Sequence, residues 1–216
     1  MSSTEPAGAQ LVARVQRGLE GLYRCEAGIE VAEYLLDEAA RGALQLQRLA
    51  SEQLLLSVED GELSLGLFLD PQLLVRLGAR DPSLGVDDSN LADLCHAIEG
   101  VSHFLLVATR AQQGRPVSAL ELELQAEVDK YVTCHLMGYG DGLREQLFER
   151  STLLQDLSAE ERERYRMAND CAYAYTGHLE RRYVRQRRLD AMLLELRRFW
   201  RAGLHDKLRS IRAATH

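Results

Sequence analysis

Two histidines flank a glutamate in the stretch LCHAIEGVSHF, residues 94–104: His96, Glu99 and His103. These residue types can ligate a metal, work as an acid–base pair, or form a polar seam between helices. At about 100° per residue the three fall on one side of a helix, with Arg110 on the same side. His96 and His103 are then separated by roughly 10 Å along the axis. Metal–nitrogen bonds are only about 2 Å long, so both histidines cannot reach one cation. A chelating pair is either His96 with Glu99 or Glu99 with His103, and further ligands must come from another helix. Glu123 and Glu127, spaced i and i+4, offer them, with His135 and His178 further along. The candidate cluster is therefore His96, Glu99, His103, Glu127 and His135, with the metal itself left open. No Glu-x-x-His pair of the kind used in four-helix carboxylate sites occurs. The plainer reading is a structural seam, with Glu99 bonded to His103, Arg110 or a neighbouring helix. An acid–base role for Glu99 and His103 needs a nucleophile or oxyanion donor that the sequence does not name.

The segment LELELQAEVDKY, residues 120–131, crowds Glu121, Glu123, Glu127 and Asp129 onto another helix. Glu127 and Lys130 can pair at i, i+3. A solvated acidic face is the ordinary reading, and an arginine-docking surface the sharper one. The obvious docking partner is the chain's own end. Residues 131–216 carry 12 acids against 16 bases, whereas residues 1–130 are strongly acidic. Arg181, Arg185 and Arg188 form one row, Arg197 and Arg201 another, with Trp200 beside them as an interaction residue. Tyr173 and Phe199 lie off the main apolar stripes and would be interface anchors if exposed. Nucleic acid is the alternative partner for these arginines, but a net charge of −7 and a pI near 5.4 disfavour it. The basic residues comprise 24 Arg and 2 Lys.

The elements that must position these residues follow from period and punctuation. With 46% hydrophobic and 27% charged residues and only four prolines, the chain reads as globular and mainly helical. Residues 1–8 read as a disordered tail and 9–216 as a single domain of about six to seven helices with one inserted β-hairpin at 53–69. Residues 9–50 form one or two helices, broken near 18–28. In the hairpin, Asp60-Gly61 separates two alternating runs, which pairs Glu59 with Glu62, Val58 with Leu63, Leu56 with Leu65 and Leu54 with Leu67, all the apolar pairs on one face. Asp70-Pro71 opens a short helix through Leu77. Helices follow at about 91–112, 119–136 and 143–156, the second opened by the capping box Ser118-x-x-Glu121. A second capping box, Ser158-x-x-Glu161, opens the Arg-rich amphipathic helices of 159–213, with a kink near Arg185–Arg188.

The four cysteines, Cys25, Cys95, Cys134 and Cys171, form no C-x-x-C pair and read as free thiols. No apolar run is long enough for a transmembrane helix, and the start lacks a secretory leader, so a cytoplasmic location with no membrane role is expected. No nucleophile elbow, P-loop or dinucleotide fingerprint is present. The sequence thus points to a non-enzymatic protein-interaction or regulatory module with a protein partner, a component of a larger assembly. The alternatives are a metal- or acid–base-dependent enzyme centred on Glu99 and His103, and nucleic-acid binding through the C-terminal arginines.

Overall fold

The computed structural model describes residues 7–43, 50–149 and 157–215. The fold is mainly helical with a small sheet. Helix α1 spans Ala7–Tyr23, two residues into the stretch read as a tail. It ends where Arg24 and then Gly28 take left-handed backbone. A 3-10 turn (Val31–Tyr34), the two-residue strand β1 (Leu35–Leu36) and helix α2 (Glu38–Ala43) follow, in place of a second long helix. Strands β2 (Glu52–Glu59) and β3 (Glu62–Leu69) form the hairpin. Its register pairs Glu59 with Glu62, Val58 with Leu63, Leu56 with Leu65 and Leu54 with Leu67, as the alternation requires. Asp60 and Gly61 both have positive φ, the geometry of a two-residue turn that matches strand twist. The sheet has three strands rather than two, in the order β1-β3-β2, with β1 parallel to β3. A two-residue strand has no period to read, so only the fold reveals it.

Helix α3 (Pro71–Ala79) starts on Asp70, whose carboxylate accepts from the backbone N–H of Gln72. Helices α4 (Leu91–Gln112) and α5 (Ala119–Leu136) have the expected bounds, and Ser118 caps α5. The stretch read as a helix over 143–156 lies partly outside the described residues. Its described part widens to a π-helical turn at Glu145–Glu149. The capping box of Ser158 and Glu161 opens α6 (Ala159–Leu179), with both reciprocal bonds formed. A π turn at Glu180–Val184, with Arg187 in left-handed backbone, makes the kink before α7 (Leu189–Arg201). Extended backbone at Ala202 then separates α7 from α8 (Leu204–Thr215), a second break beyond the expected kink.

Helix α4 is the central element. The sheet covers one side of it through Leu67 and Leu69, and α5 packs on the other. Leu94, Ile98, Val101 and Leu105 are buried as expected, but so are His103 and Arg110 on the opposite side. The polar side of α4 is therefore an internal face, not an outer one. By length and composition α4 could cross a membrane; most of it is instead buried inside this fold.

Candidate functional site

Two facing ridges meet where α4 packs on α5. On α4, Glu99 and His103 are one turn apart; on α5, Glu123 and Glu127 are one turn apart, and Lys130 follows. One ligand atom from each of Glu99, His103 and Glu123 lies within 4.8 Å of the other two. His103 Nε2 is 3.7 Å from Glu123 Oε2. Strand β2 adds Glu52, whose Oε1 is 3.9 Å from His103 Nδ1. Lys130 Nζ lies 2.6 Å from Glu127 Oε1 and 3.2 Å from Glu99 Oε2. Donor atoms around one cation with bonds of 2.0–2.2 Å are separated by about 3.0–4.3 Å. The arrangement needs only a small contraction to match.

Glycine at position 100 admits Glu52 to the cluster. A Cβ there would lie 2.9 Å from Leu67 Cδ1 and 3.0 Å from Glu52 Oε2. The bare backbone lets the sheet sit against α4 at the level of His103.

Electrostatics divide the cluster into ionised and protonated members. Burial opposes ionisation of Glu99, but the positive charge around it, Lys130 foremost, outweighs it and holds its carboxyl below the usual range. Burial pushes Glu123 up to about 8, with Glu99 adding to the effect. Burial, Glu99 and Glu123 push Glu52 well up, and burial is also the main cause of the upward shift of Glu127. Burial pushes the His103 imidazole down, which favours the neutral, metal-ligating form. Lys130 is held in its charged form by Glu127 and Glu99, against the effect of burial. Four carboxyl groups thus share one ammonium, and the excess negative charge is avoided by retaining protons. Two buried oxygen and nitrogen atoms, Glu52 Oε2 and His103 Nε2, have no hydrogen-bond partner. Arg164 on α6 faces Glu123 electrostatically and leaves its own buried Nε unpartnered.

A second polar network, between the same two helices and the C-terminal helices, behaves differently. Asp129 accepts hydrogen bonds from Tyr23, from Ser102 (2.6 Å) and from Gln125 (2.8 Å). Lys207 of α8 donates to Gln125 (2.9 Å) and lies 3.3 Å from Glu121. Arg110 pairs with Glu121 at 3.0 Å and donates to the carbonyls of Trp200 (2.9 Å) and Ala202 (2.7 Å), closing the end of α7. Here every carboxylate is partnered, as a structural network requires. Arg110 Nε is unpartnered here, but the carboxylates are not; around His103 a carboxylate oxygen and the imidazole nitrogen itself lack partners.

The structure brings together Glu99, His103 and Glu127 of the candidate cluster. His96 is exposed at its margin. His135 is elsewhere, stacked on Tyr131 and facing Glu180. Glu99 pairs with Lys130 rather than with His103 or Arg110. Glu121, Glu123 and Asp129 are buried, so the segment 120–131 is not a solvated acidic face. The C-terminal part does dock on it, but through Lys207 and the α7 carbonyls rather than the arginine rows. Arg181, Arg185, Arg188 and Arg201 are exposed, whereas Arg197 donates to the Leu22 carbonyl. Trp200 is 3% exposed and stacks on Tyr23 at 4.4 Å, which makes it a core residue; Phe199 is likewise buried, against Tyr175.

Glu52 carries a sequence signal that composition hides. It has the same parity as Leu54, Leu56 and Val58, so it sits on the apolar face of its strand. Gly100, in the middle of the most apolar helix, is the matching mark of close approach. Two surface depressions, one beside Glu20 and Arg24 and one beside Arg80 and Asn90, are lined by other residues. No protein-family model matches this chain, and no curated protein or solved structure matches it.

Proposed function

We propose that the chain is a metal-dependent enzyme whose centre is Glu99, His103 and Glu123, with Glu52 beside them. The observation that carries this reading is the convergence of three ligand atoms from two helices around an imidazole nitrogen that is buried and unpartnered. A mixed carboxylate–imidazole donor set suits Mn²⁺, Fe²⁺ or Zn²⁺. A cation held there would supply Lewis-acid chemistry, polarising a bound water or carbonyl. Glu52, whose carboxyl is pushed toward its protonated form, then stands beside His103 as a proton donor, and Lys130 keeps Glu99 ionised. With His103, Glu52 and Glu123 side chains only 8–13% exposed, the site favours small substrates over polymers. The test is the metal content of the purified protein, wild type against Glu99→Ala, His103→Ala and Glu123→Gln. A stoichiometric transition metal lost in the variants supports the reading. A folded wild type that binds neither Mn²⁺ nor Zn²⁺ on titration ends it.

A separate observation favours an interaction role. Burial along the hairpin falls away toward its tip, leaving Leu56, Val58 and Leu63 at 50%, 69% and 37% exposure on one face. Strand β2 is at the edge of the sheet, and Glu59 and Asp60 border the exposed apolar residues. An acidic, apolar edge fits an extended basic–apolar strand from a partner protein. A peptide of alternating Arg and Val is the probe. Binding that weakens in Val58→Glu and in high salt supports this role, and equal binding by both proteins removes it.

A further inference from the structure

Only two of the 26 basic residues are lysines, Lys130 and Lys207, and both are enclosed among acids in the interior. Everywhere else the chain uses arginine. The exceptions share one physical feature: a compact ammonium is buried between side chains that include carboxylates. At Lys207 every surrounding acid is accounted for by the structural network. At Lys130 the surroundings are different, because Glu99 is shared. The Glu99 carboxylate lies near both His103 and Glu123, and its Oε2 also meets Lys130, which holds Glu127. The two i, i+4 pairs, Glu99 with His103 and Glu123 with Glu127, therefore frame two adjacent cation positions bridged by one carboxylate.

We propose that the α4–α5 seam is a two-cation site in which the Lys130 ammonium permanently fills the second position, so that the centre takes a single metal ion. This rests on the metal reading above. The second position has the carboxylates of Glu99 and Glu127 against the ammonium, with the Cys95 thiol near it, whereas the first adds the His103 imidazole. A covalently attached cation at the second position leaves the imidazole-containing position for the metal. It also fixes the charge that Glu99 presents to that metal. Two cations bridged by a carboxylate would lie about 3.5–4 Å apart, as in two-metal centres generally.

Replacing Lys130 by methionine keeps the length of the side chain and removes its charge. Manganese is the probe, with stoichiometry from calorimetry and metal analysis, and electron paramagnetic resonance reporting whether two ions are neighbours. The expected result is one Mn²⁺ in wild type, two spin-coupled Mn²⁺ in Lys130→Met, and one again in Lys130→Met/Glu127→Gln. One ion in both wild type and Lys130→Met, or a second ion without spin coupling, overturns this inference and leaves the metal centre standing. No ion in the wild type ends the metal reading instead. In that case an ion in Lys130→Met that is lost in the double variant retains Lys130 as a cation stand-in, and none in either variant overturns it. Lys130→Met is expected to be poorly folded in chelator and to fold when Mn²⁺ is added. Failure to fold in both conditions, while the double variant folds, also overturns the inference.

Discussion

Replacing Glu123 by glutamine should make the metal-free protein more stable at pH 8 and unable to hold its cation. The folded protein keeps the Glu123 proton to about pH 8, whereas an ordinary glutamate releases it near 4.5. Between those values the folded state binds more protons than the unfolded state, so stability falls as pH rises through this window. Each pH unit is worth about 1.36 kcal/mol, which gives an upper value of roughly 5 kcal/mol, and relaxation around a buried group makes roughly 2–5 kcal/mol the working range. Glutamine has the shape of the protonated acid and no proton to lose. In urea unfolding with a chelator present, Glu123→Gln should match wild type near pH 5 and exceed it by that amount at pH 8. Saturating cation should reverse the order, since a ligand at 100 times its Kd adds about 2.7 kcal/mol to the protein that binds it. A variant less stable than wild type at pH 8 in chelator would refute the reasoning. It would mean that Glu123 is ionised and held by a partner such as Arg164, and that the cluster is an ion-pair seam.

Three further expectations follow from particular contacts. Gly100→Ala places a methyl group against Leu67 and Glu52, so it should destabilise by about 1–3 kcal/mol and weaken Mn²⁺ binding; unchanged stability and affinity would show that Glu52 does not depend on this approach. Arg110→Lys removes the fork that joins Glu121 to two α7 carbonyls, so it should lose roughly 3–5 kcal/mol and raise hydrogen exchange in α7 and α8 first; uniform exchange would argue against local undocking. Asp129 is pushed up to about 6 by burial, with Ser102 among the donors that oppose the shift. Its folded value is raised, so its contribution to stability falls as pH rises from about 4 to about 6, and removing a donor harms the ionised form most. Ser102→Ala should therefore lose about 1.5–3 kcal/mol at pH 8 and less at pH 5; equal losses would mean that Asp129 keeps one protonation state across this range.

Stability and site chemistry pull in opposite directions within one helix pair. The Asp129 face joins α1, α4, α5 and α8 through carboxylates that are all partnered. The Glu123 face concentrates four carboxyl groups around one ammonium and leaves an imidazole nitrogen and a carboxylate oxygen without partners. Burial of unpartnered polar atoms costs about 1–3 kcal/mol each. That cost is recovered if a cation completes the site.

Local rules sufficed for the elements with a period or a cap. The hairpin register follows from apolar alternation around Asp60-Gly61, and α5 and α6 begin where Ser118 and Ser158 stand. Glu99 and His103 were identifiable as neighbours because one turn of helix separates them, and the need for a second helix to complete any metal site followed from bond lengths alone. Other features depend on residues far apart in the chain. The pairing of β1 with β3, the burial of both sides of α4, and the meeting of Glu52, Glu123 and Lys130 with Glu99 and His103 are contacts across turns and loops, which leave no spacing to read. Trp200 and His135 show the same limit, since an amphipathic pattern tells which side of a helix is apolar but not what lies against it. Helical and strand periods are set by the backbone and are written in every few residues; which faces meet is set by the packing of the whole chain, and only the tertiary structure decides it.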